Sequence, residues 1–233
     1  MKEENEDTSA QSGARKEAAR ERLLAASIDI FGRYGFDGAS TRKLAEAAGV
    51  NLQAIPYYFG GKEGLYIATA DYLTSLISAH IGALRERVRG RLTELDAHGE
   101  PLSEGEARAF LTEIAQTMIV LFMSGKSEAW ARFLIREQME PTEAFERVYQ
   151  GVMRPMIEIA RRLVGTILGK DPASEEVRLR TISFVGSILV FRMAHAAVLR
   201  QMEWESAGPE EIEIVRGHAT RLVAAVAHEG EMA

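Results

Sequence analysis

Apolar residues recur at helical spacing along almost the whole chain after residue 14, and this pattern limits the fold more than any other feature. The first such segment places Leu24, Ile28 and Phe31 on one stripe, the spacing of an amphipathic helix with about 3.6 residues per turn. No stretch alternates apolar and polar residues between turn residues as a strand would, and no long repeat is visible. The pattern therefore predicts an all-α chain of about nine helices.

Capping residues and glycines mark where the short helices near the N-terminus begin and end. Ser40 precedes the segment TRKLAEAA, where its hydroxyl can accept from the first amides, and Gly49 follows that segment as a left-handed stop. Asn51 can cap the next short helix in the same way. The apolar spacing then predicts one long helix from Lys62 to about Arg91.

The net charge of −6 is distributed unevenly along the 233 residues. Residues 1–14 carry one Lys and four acidic residues without apolar periodicity, and we expect them to form a disordered tail. Residues 15–64 carry eight basic and six acidic residues, whereas residues 65–233 carry 19 basic and 24 acidic ones. The positive segment lies near the N-terminus, which favours a small anion-facing module on a larger acidic body.

The chain contains no cysteine, which excludes a disulfide framework, a cysteine-ligated metal site and a thiol nucleophile. Its first residues are acidic and lack the basic and apolar regions of a secretory signal, so we expect a cytoplasmic protein. The longest apolar run, Thr181 to Phe191, is shorter than the roughly 20 residues that a membrane span needs. We therefore expect no membrane partner.

The segment TRKLAEAAGVNLQAIPYYFGGK, residues 41–62, has the form of a helix-turn-helix. Gly49 permits a sharp turn between two short helices because it tolerates positive φ, and the small Ala45 lets the second helix cross closely. Asn51 and Gln53 begin the second helix, the part that enters a major groove in such motifs. An ordinary helical hairpin explains the same pattern, so this segment alone leaves both interpretations open.

The sequence that follows the second helix, YYFGGKEGLY, favours DNA binding. Tyr57 and Tyr58 offer hydroxyl groups, and Lys62 stands in the first turn of the next helix. A cation is misplaced at a helix N-terminus, because the backbone dipole is positive there. It becomes favourable if a phosphate binds to the same free amides.

Residues 15–66 resemble the DNA-binding domain of the tetracycline-repressor (TetR) family. The resemblance rests on FGRYGFDGAST at the end of the first helix, the turn AEAAGV and the block YYFGGKEGLY. The stretches IREQMEPTEAF and EEVRLRTISFVGSILVFRMA resemble the CecR-type branch of that family. The resemblance implies a three-helix helix-turn-helix domain at residues 15–62 and a larger helical domain for effector binding and dimerisation at residues 63–233.

The resemblance also implies which side chains contact double-stranded DNA. Thr41 and Arg42 open the second helix at backbone-contacting positions, and Gln53 is the side chain best suited to bidentate hydrogen bonds with adenine. The complete expected set is Thr41, Arg42, Asn51, Leu52, Gln53, Ala54, Tyr57, Tyr58 and Lys62. Pro56 replaces an aromatic residue that the family often has, and it removes a backbone amide. We therefore expect a shortened or irregular recognition helix.

No enzyme or cofactor site has a comparable pattern. GGKEG is similar to a phosphate-binding loop, but Glu63 follows the lysine where Ser or Thr is required, and Pro56 stands where glycine is required. No two histidines have helical i, i+4 spacing, so no helix-borne metal site is expected. We predict no catalytic residue, no metal and no cofactor. A protein-interaction module without DNA binding is the main alternative, and an enzyme assembled from distant residues is another.

The larger domain is expected to hold a pocket for a small-molecule effector. Its aromatic and Met-rich helices suit an apolar or aromatic ligand. Arg192 and His195 interrupt an apolar helix at i, i+3 spacing; they could hold a polar group of the ligand, pair with an acid of a second subunit, or lie on a solvated edge. The candidate pocket residues are Phe122, Trp130, Phe133, Tyr149, Phe184, Arg192 and His195. Plain core packing is the alternative for each aromatic residue.

The resemblance further implies a homodimeric repressor that the effector releases from a palindromic operator. We expect helices 174–202 and 209–227 of two copies to form a four-helix bundle. Two copies of the recognition helix 51–58 would then enter successive major grooves about 34–36 Å apart. Effector binding would tilt the long helix that begins at Lys62, and a typical coupling of about 1–3 kcal/mol would weaken DNA binding roughly 5- to 150-fold.

Overall fold

Helices form every regular element of the computed structural model, which describes the backbone of residues 3–125 and 127–226 and the side chains of residues 13–125 and 127–226. In chain order they are α1 Glu3–Gly38, α2 Thr41–Ala48, α3 Ala54–Phe59, α4 Lys62–His98, α5 Glu104–Met123, α6 Ser127–Met139, α7 Glu143–Val148, a π-helical turn Tyr149–Met153, α8 Arg154–Leu168, α9 Glu175–Met193, α10 His195–Gln201 and α11 Pro209–Ala224. No strand occurs in these described residues, and the predicted all-α class is confirmed.

The described chain has eleven α-helices and one π-helical turn, where about nine helices are predicted. The π-helical turn separates α7 from α8 without a loop. Ala194, with φ of −108°, separates α9 from α10 at a bend of 81°. Ala194 is neither glycine nor proline, so nothing in the pattern marks that break. The expectation of one continuous helix over 174–202 is therefore wrong.

Two helices are longer than their patterns predict. α4 extends to His98, about two turns beyond the predicted end at Arg91, and has a length of about 55 Å. α1 extends back to Glu3, through most of the segment 1–14 for which we expect a disordered tail. Residues 1 and 2 lie outside the described residues, and the disorder of the tail stays a prediction.

The chain divides into two compact units, which we describe separately. Unit 1 comprises the described residues of 1–76 and 129–151, and unit 2 comprises those of 77–128 and 152–233. Unit 1 therefore contains α1 to α3, the start of α4, most of α6 and all of α7. The functional division at residue 62 stays a prediction.

The core of unit 1 forms where α2 and α3 pack against α1. Its fully buried side chains include Leu23, Phe31, Leu44, Ile55 and Leu65. Burial of each such side chain stabilises the fold by about 1.5–3 kcal/mol. Arg22 adds a polar link between α1 and α2, because its Nε donates to the carbonyl of Ala48 at 3.3 Å. This packing holds the two short helices in place and leaves their other face free.

α5 is the central helix of unit 2 and packs against α8, α9 and α11. Ser103 caps it: the hydroxyl accepts from the Glu106 amide at 3.2 Å and donates to the Glu106 carboxylate at 3.0 Å, a variant of the capping box. The buried cluster around α5 includes Leu84, Val88, Leu111, Ile119, Leu163, Phe184, Ile188 and Val223. Unit 2 thus has a core of its own.

No single helix in the described part of the chain is both long enough and apolar enough to cross a membrane. Two pairs of consecutive helices reach that length and composition only together, across a sharp bend. Over the same residues, no group of three or more His, Asp or Glu side chains lies close enough together to hold a metal ion.

Candidate nucleic-acid interface

The turn between α2 and α3 is built by local hydrogen bonds. The Ser40 hydroxyl accepts from the Lys43 amide at 3.1 Å and caps the start of α2. Gly49 ends α2 with φ of 62°, in the left-handed region. The Asn51 side chain then accepts from the Gln53 amide at 2.9 Å and starts the next helical turn. The capping predictions for Ser40 and Gly49 are confirmed, whereas Asn51 caps the turn before α3, and α3 itself begins after Gln53 without a side-chain cap. Sequence-local interactions thus set the geometry of this turn.

α3 has one buried face and one exposed face. Ile55 is fully buried in unit 1. Asn51 and Gln53 are exposed, as are Leu52 and Tyr57, whose side chains are 46% and 69% exposed. An exposed leucine and tyrosine beside two amide side chains give a surface with both hydrogen-bonding and apolar groups. Such a mixture is what direct contact with base edges requires.

Pro56 changes the hydrogen bonding at the start of α3. Because Pro56 has no amide hydrogen, the Leu52 carbonyl accepts instead from the Ile55 amide at 3.3 Å. The Tyr57 amide resumes the α-helical pattern with the Gln53 carbonyl at 3.1 Å. The recognition segment 51–58 therefore begins with a turn over 51–53, and the α-helix itself is the six residues Ala54–Phe59. The expected irregularity at Pro56 is present.

The glycines of GGKEG serve the corner between α3 and α4. Gly60 and Gly61 adopt φ of 73° and 145°, both outside the range that other residues favour. Gly64 is required for a different reason, because a Cβ there would overlap the carbonyl oxygen of Phe59. These backbone requirements explain the motif without a bound phosphate. They also fix the position of Lys62 directly after the corner.

Lys62 of α4 and two cations of α2, Lys43 and Arg42, each have a partner within unit 1. Lys62 Nζ lies 4.4 Å from the centre of the Phe36 ring, and Lys43 Nζ lies 3.6 Å from the centre of the Tyr34 ring. The exposed Arg42 pairs with a glutamate one turn later at 2.8 Å. A ring occupies one side of an ammonium group and leaves other hydrogen-bond donors available. The presence of a lysine at the N-terminus of α4 is therefore explained also by the packing of Lys62 on Phe36, without a bound phosphate.

The other expected DNA contacts are less exposed. Thr41, Ala54 and Tyr58 are half-buried. The Tyr58 ring lies edge-on to the Tyr57 ring, with the centroids 4.8 Å apart. Their contacts with DNA stay predictions. The structure brings all nine expected residues into unit 1.

The structure adds a set of residues on α6 that motif analysis misses. Arg132 Nη2 donates to Asp29 Oδ1 on α1 at 2.7 Å. Burial would raise the pKa of Asp29, but hydrogen bonds from Arg33 and Arg132 outweigh it and hold that pKa below its ordinary value. At Gly32 an added Cβ would lie 3.1 Å from the Arg132 Cβ, and at Gly35 it would lie 2.7 Å from Arg136 Nη1. Two glycines of α1 thus permit α6 to pack closely.

The buried carboxylate of Glu137 connects the end of α6 to α4 and to the start of α7. Glu137 is 1% exposed and accepts a hydrogen bond from the Tyr66 hydroxyl of α4 through Oε1. Its Oε2 accepts from the Thr142 amide at 3.1 Å and from the Thr142 hydroxyl at 2.9 Å. Burial and the neighbouring Glu137 together raise the pKa of Tyr66. The stretch REQMEPT is the sequence signal of this cluster, since it places an acid five residues before the threonine that bonds it.

The seven candidate effector residues are divided between the units. Trp130, Phe133 and Tyr149 lie in unit 1, and Phe122, Phe184, Arg192 and His195 lie in unit 2. Phe133 is buried, with its ring centre 5.3 Å from that of Tyr66, and Phe184 belongs to the core of unit 2. His195 opens α10, with its Nδ1 3.3 Å from the Phe191 carbonyl oxygen. A role for these residues in ligand binding stays a prediction.

Comparison with known proteins assigns the chain to a family. Residues 23–69 match the bacterial regulatory proteins of the tetR family, and residues 107–229 match the C-terminal domain of the HTH-type transcriptional dual regulator CecR. The CecR regulator of Shigella flexneri is 31% identical over 204 residues, which cover 88% of this chain and 89% of that protein. The chain belongs to the CecR branch of the TetR family. It is thus a DNA-binding transcriptional regulator of the TetR family, which is not a class of enzymes.

Solved structures of TetR-family regulators share the fold. AibR, solved with isovaleryl coenzyme A and operator DNA, has a TM-score of 0.61 at 14% identity, covering 87% of this chain and 96% of that one. FadR from Bacillus subtilis, solved with stearoyl-CoA, has a TM-score of 0.57 at 15% identity, covering 89% and 99%. At such low sequence identity, these structures show only that the fold is shared.

Proposed function

We propose that this chain is a cytoplasmic, homodimeric repressor that binds a palindromic operator and leaves it when a small molecule binds. The observation that carries the proposal is the two-faced recognition segment. Its inner side is anchored by the fully buried Ile55, whereas Asn51, Gln53 and Tyr57 are exposed on its outer side. A helix that packs on the protein core through one face and exposes polar and aromatic side chains on the other is suited to bind in a major groove.

Base reading is assigned to the turn at the start of α3. Gln53 is exposed, and its side chain makes no hydrogen bond to another described residue. A glutamine amide can donate and accept at once, which matches the N6 and N7 groups of adenine. Leu52 and Ala54 supply apolar contacts of the kind that thymine methyl groups accept. Asn51 contributes mainly by capping the turn.

Backbone contacts are assigned to the residues around the turn. Arg42 and Lys62 bring positive charge, and Thr41, Tyr57 and Tyr58 bring hydroxyl groups. Contacts of these types to phosphate oxygens fix the register of a protein on DNA without reading sequence. Lys62 keeps donors available despite its packing on Phe36.

The dimer is assigned to an exposed apolar face of α9 and α11. Four exposed apolar residues on α9 have spacings of a single helix face: Leu179, Ile182, Val190 and Met193. Gly186 lies on the same face, where an added Cβ would meet no other residue, and Ile214 on α11 is 58% exposed. A contiguous apolar face of this kind marks an interaction surface. We assign it to a second copy of this chain, because a homodimer matches a palindromic site.

The binding site for the effector is assigned to the C-terminal part of the chain. AibR and FadR were each solved with a coenzyme A ester. Those ligands combine an apolar acyl chain with a charged nucleotide, and the proposal for this chain is a small molecule with an apolar part.

The proposal is tested by selecting bound fragments from the DNA of the source organism and measuring the mass of the complex in solution. We expect inverted half-sites about one helical turn apart, bound by two copies. The double variant Leu179→Glu/Ile182→Glu should be a folded monomer with much weaker binding to the palindrome. If the wild-type protein selects no fragment at moderate salt, the helical protein-interaction module replaces this proposal.

A further inference from the structure

A groove of about 420 Å³ is lined by side chains of α4 and α8 in unit 2. Its volume falls in the range of about 300–1,000 Å³ that small-molecule sites occupy. Three arginines line it, Arg85, Arg89 and Arg162, together with apolar side chains of Leu92, Pro155 and Ile159. None of the seven pocket residues expected from the sequence belongs to this lining. The groove is therefore a separate candidate for ligand binding.

Arg85 is the unusual member of the lining. Its side chain is only 24% exposed, although a guanidinium carries five hydrogen-bond donors. The nearest carboxylate oxygen, Glu86 Oε1, lies 3.6 Å from its Nε, and the guanidinium makes no hydrogen bond to any residue in the described ranges. Polar groups that are largely covered by protein normally have hydrogen-bond partners. Arg85 is thus a partly covered cation whose donors remain available to a ligand.

The other charged groups of the groove are already paired. Arg162 donates to both oxygens of Asp96, at 2.7 and 2.5 Å, and this hydrogen bonding lowers the pKa of Asp96. Arg89 pairs with Glu86 at 2.5 Å. Glu158, the one acid in the lining, is held by Arg154 at 2.9 Å.

The pairing leaves Arg85 as the arginine of the lining that makes no hydrogen bond in the described residues, whereas Arg89 bonds Glu86 through one nitrogen and keeps its other donors. The lining side chains sum to a formal charge of +2, and together with their ion-pair partners Glu86, Asp96 and Arg154 the sum is +1. Residues 65–233 as a whole are acidic, with 19 basic and 24 acidic residues. A positive groove on an acidic body favours an anionic ligand.

We propose that this groove binds the oxyanion of a small amphiphilic molecule, a phosphate or a carboxylate, with Arg85 as its main contact and Arg89 as a second donor. Guanidinium groups bind both oxyanions through paired hydrogen bonds. Leu92, Pro155 and Ile159 form the apolar wall against which the rest of the ligand packs. The proposal goes beyond the regulator function, and it is measured on the full chain without DNA.

The experiment is titration of the purified protein with three small probes at constant ionic strength, followed by calorimetry or by NMR shifts. Phenyl phosphate and benzoate carry the two oxyanions on an aromatic ring, and benzyl alcohol carries the ring without charge. We expect saturable binding of at least one oxyanion with a Kd of about 1 mM or tighter, and weaker binding of benzyl alcohol. Whichever of phenyl phosphate and benzoate binds more tightly identifies the class of oxyanion.

Variants of α4 separate a specific site from general charge attraction. Arg85→Ala should weaken the preferred oxyanion about tenfold, as loss of hydrogen bonds to a charged group does. Arg85→Lys, which keeps the charge and the stem, should lose part of the affinity because it lacks the guanidinium fork. The matched control is Arg87→Ala on the same helix, whose exposed side chain pairs with Glu113 and does not line the groove.

Three results would overturn the proposal. They are the absence of saturable binding by either oxyanion, equal binding of benzyl alcohol, and equal affinities of the Arg85→Ala and Arg87→Ala variants. If Arg85→Ala does not fold, the affinity of the conservative Arg85→Lys variant for the oxyanion tests the proposal instead.

Discussion

The hydroxyl of Tyr66 on α4 donates to the buried carboxylate of Glu137 on α6, joining residues that are 71 positions apart in the sequence. The same carboxylate also receives two hydrogen bonds from Thr142. Glu137 is therefore a buried acid whose oxygens are both satisfied within unit 1. The helix-turn-helix and the later α6–α7 segment fold together through this contact and through the Asp29–Arg132 pair.

Tyr66→Phe should destabilise the protein by about 1–3 kcal/mol, because it leaves Glu137 Oε1 buried without its donor. Chemical denaturation measures the change in the free energy of unfolding. The matched control is Tyr57→Phe, which removes a hydroxyl from a side chain that is 69% exposed and should change stability by less than about 0.5 kcal/mol. Equal effects of the two substitutions would show that the buried contact adds nothing.

The Tyr66 contact also predicts a pH dependence at alkaline pH. Burial and Glu137 raise the pKa of Tyr66 above its ordinary value of 10.0. The unfolded chain then loses the phenolic proton above about pH 10 while the folded chain keeps it, so the free energy of unfolding falls by about 1.4 kcal/mol per pH unit. Tyr66→Phe lacks this contribution, and the stability difference between the two proteins should narrow as pH rises. A difference that stays constant above pH 10 would contradict the raised pKa.

Gly64→Ala should disrupt the corner between α3 and α4, because the new Cβ would overlap the Phe59 carbonyl oxygen. Overpacking of this kind costs about 1–3 kcal/mol, and thermal unfolding measures it. Gly90→Ala is the control, since Gly90 lies within α4 and a Cβ there meets no other residue. It should stabilise α4 by up to about 1 kcal/mol. The interpretation of the corner fails if both variants gain stability.

Lys62→Ala should weaken binding similarly for all operator sequences and flatten its salt dependence. Loss of one phosphate contact reduces the slope of log K against log salt by about 0.9 per subunit. Lys170→Ala in unit 2 removes the same charge elsewhere and serves as the control. Binding isotherms at several salt concentrations measure this slope for the wild-type protein and both variants. An unchanged slope would leave Lys62 with only its packing on Phe36.

Gln53→Ala should change the preference among operator variants and leave folding intact, because the side chain is exposed. A lost bidentate contact removes about 1–3 kcal/mol of discrimination at one base pair. Competition binding with single-base variants of the selected operator measures that discrimination. Tyr57→Phe is the comparison, since a backbone contact affects all variants alike. If Gln53→Ala lowers every affinity by the same factor, Gln53 does not read bases.

The local geometry of the candidate interface could be predicted from the residues themselves. The Ser40 and Asn51 side chains accept from amides two or three positions later, and the Gly49 amide donates to the Glu46 carbonyl, so the type and spacing of these residues specify the turn. The family also follows from contiguous motifs, and both the TetR resemblance and its CecR branch are confirmed. The break at Ala194 could not be found in this way, because no glycine or proline marks it.

The sequence by itself determined the helical class, the caps and the helix-turn-helix, because the hydrogen bonds and apolar spacings involved reach only a few residues along the chain. Only the tertiary structure decided that most of α6 folds with the helix-turn-helix in unit 1, and that Lys62 packs on Phe36. The Asp29–Arg132 pair joins residues 103 positions apart, and no local pattern specifies such a partner. Its formation depends on which faces become buried together, which the whole folded chain establishes.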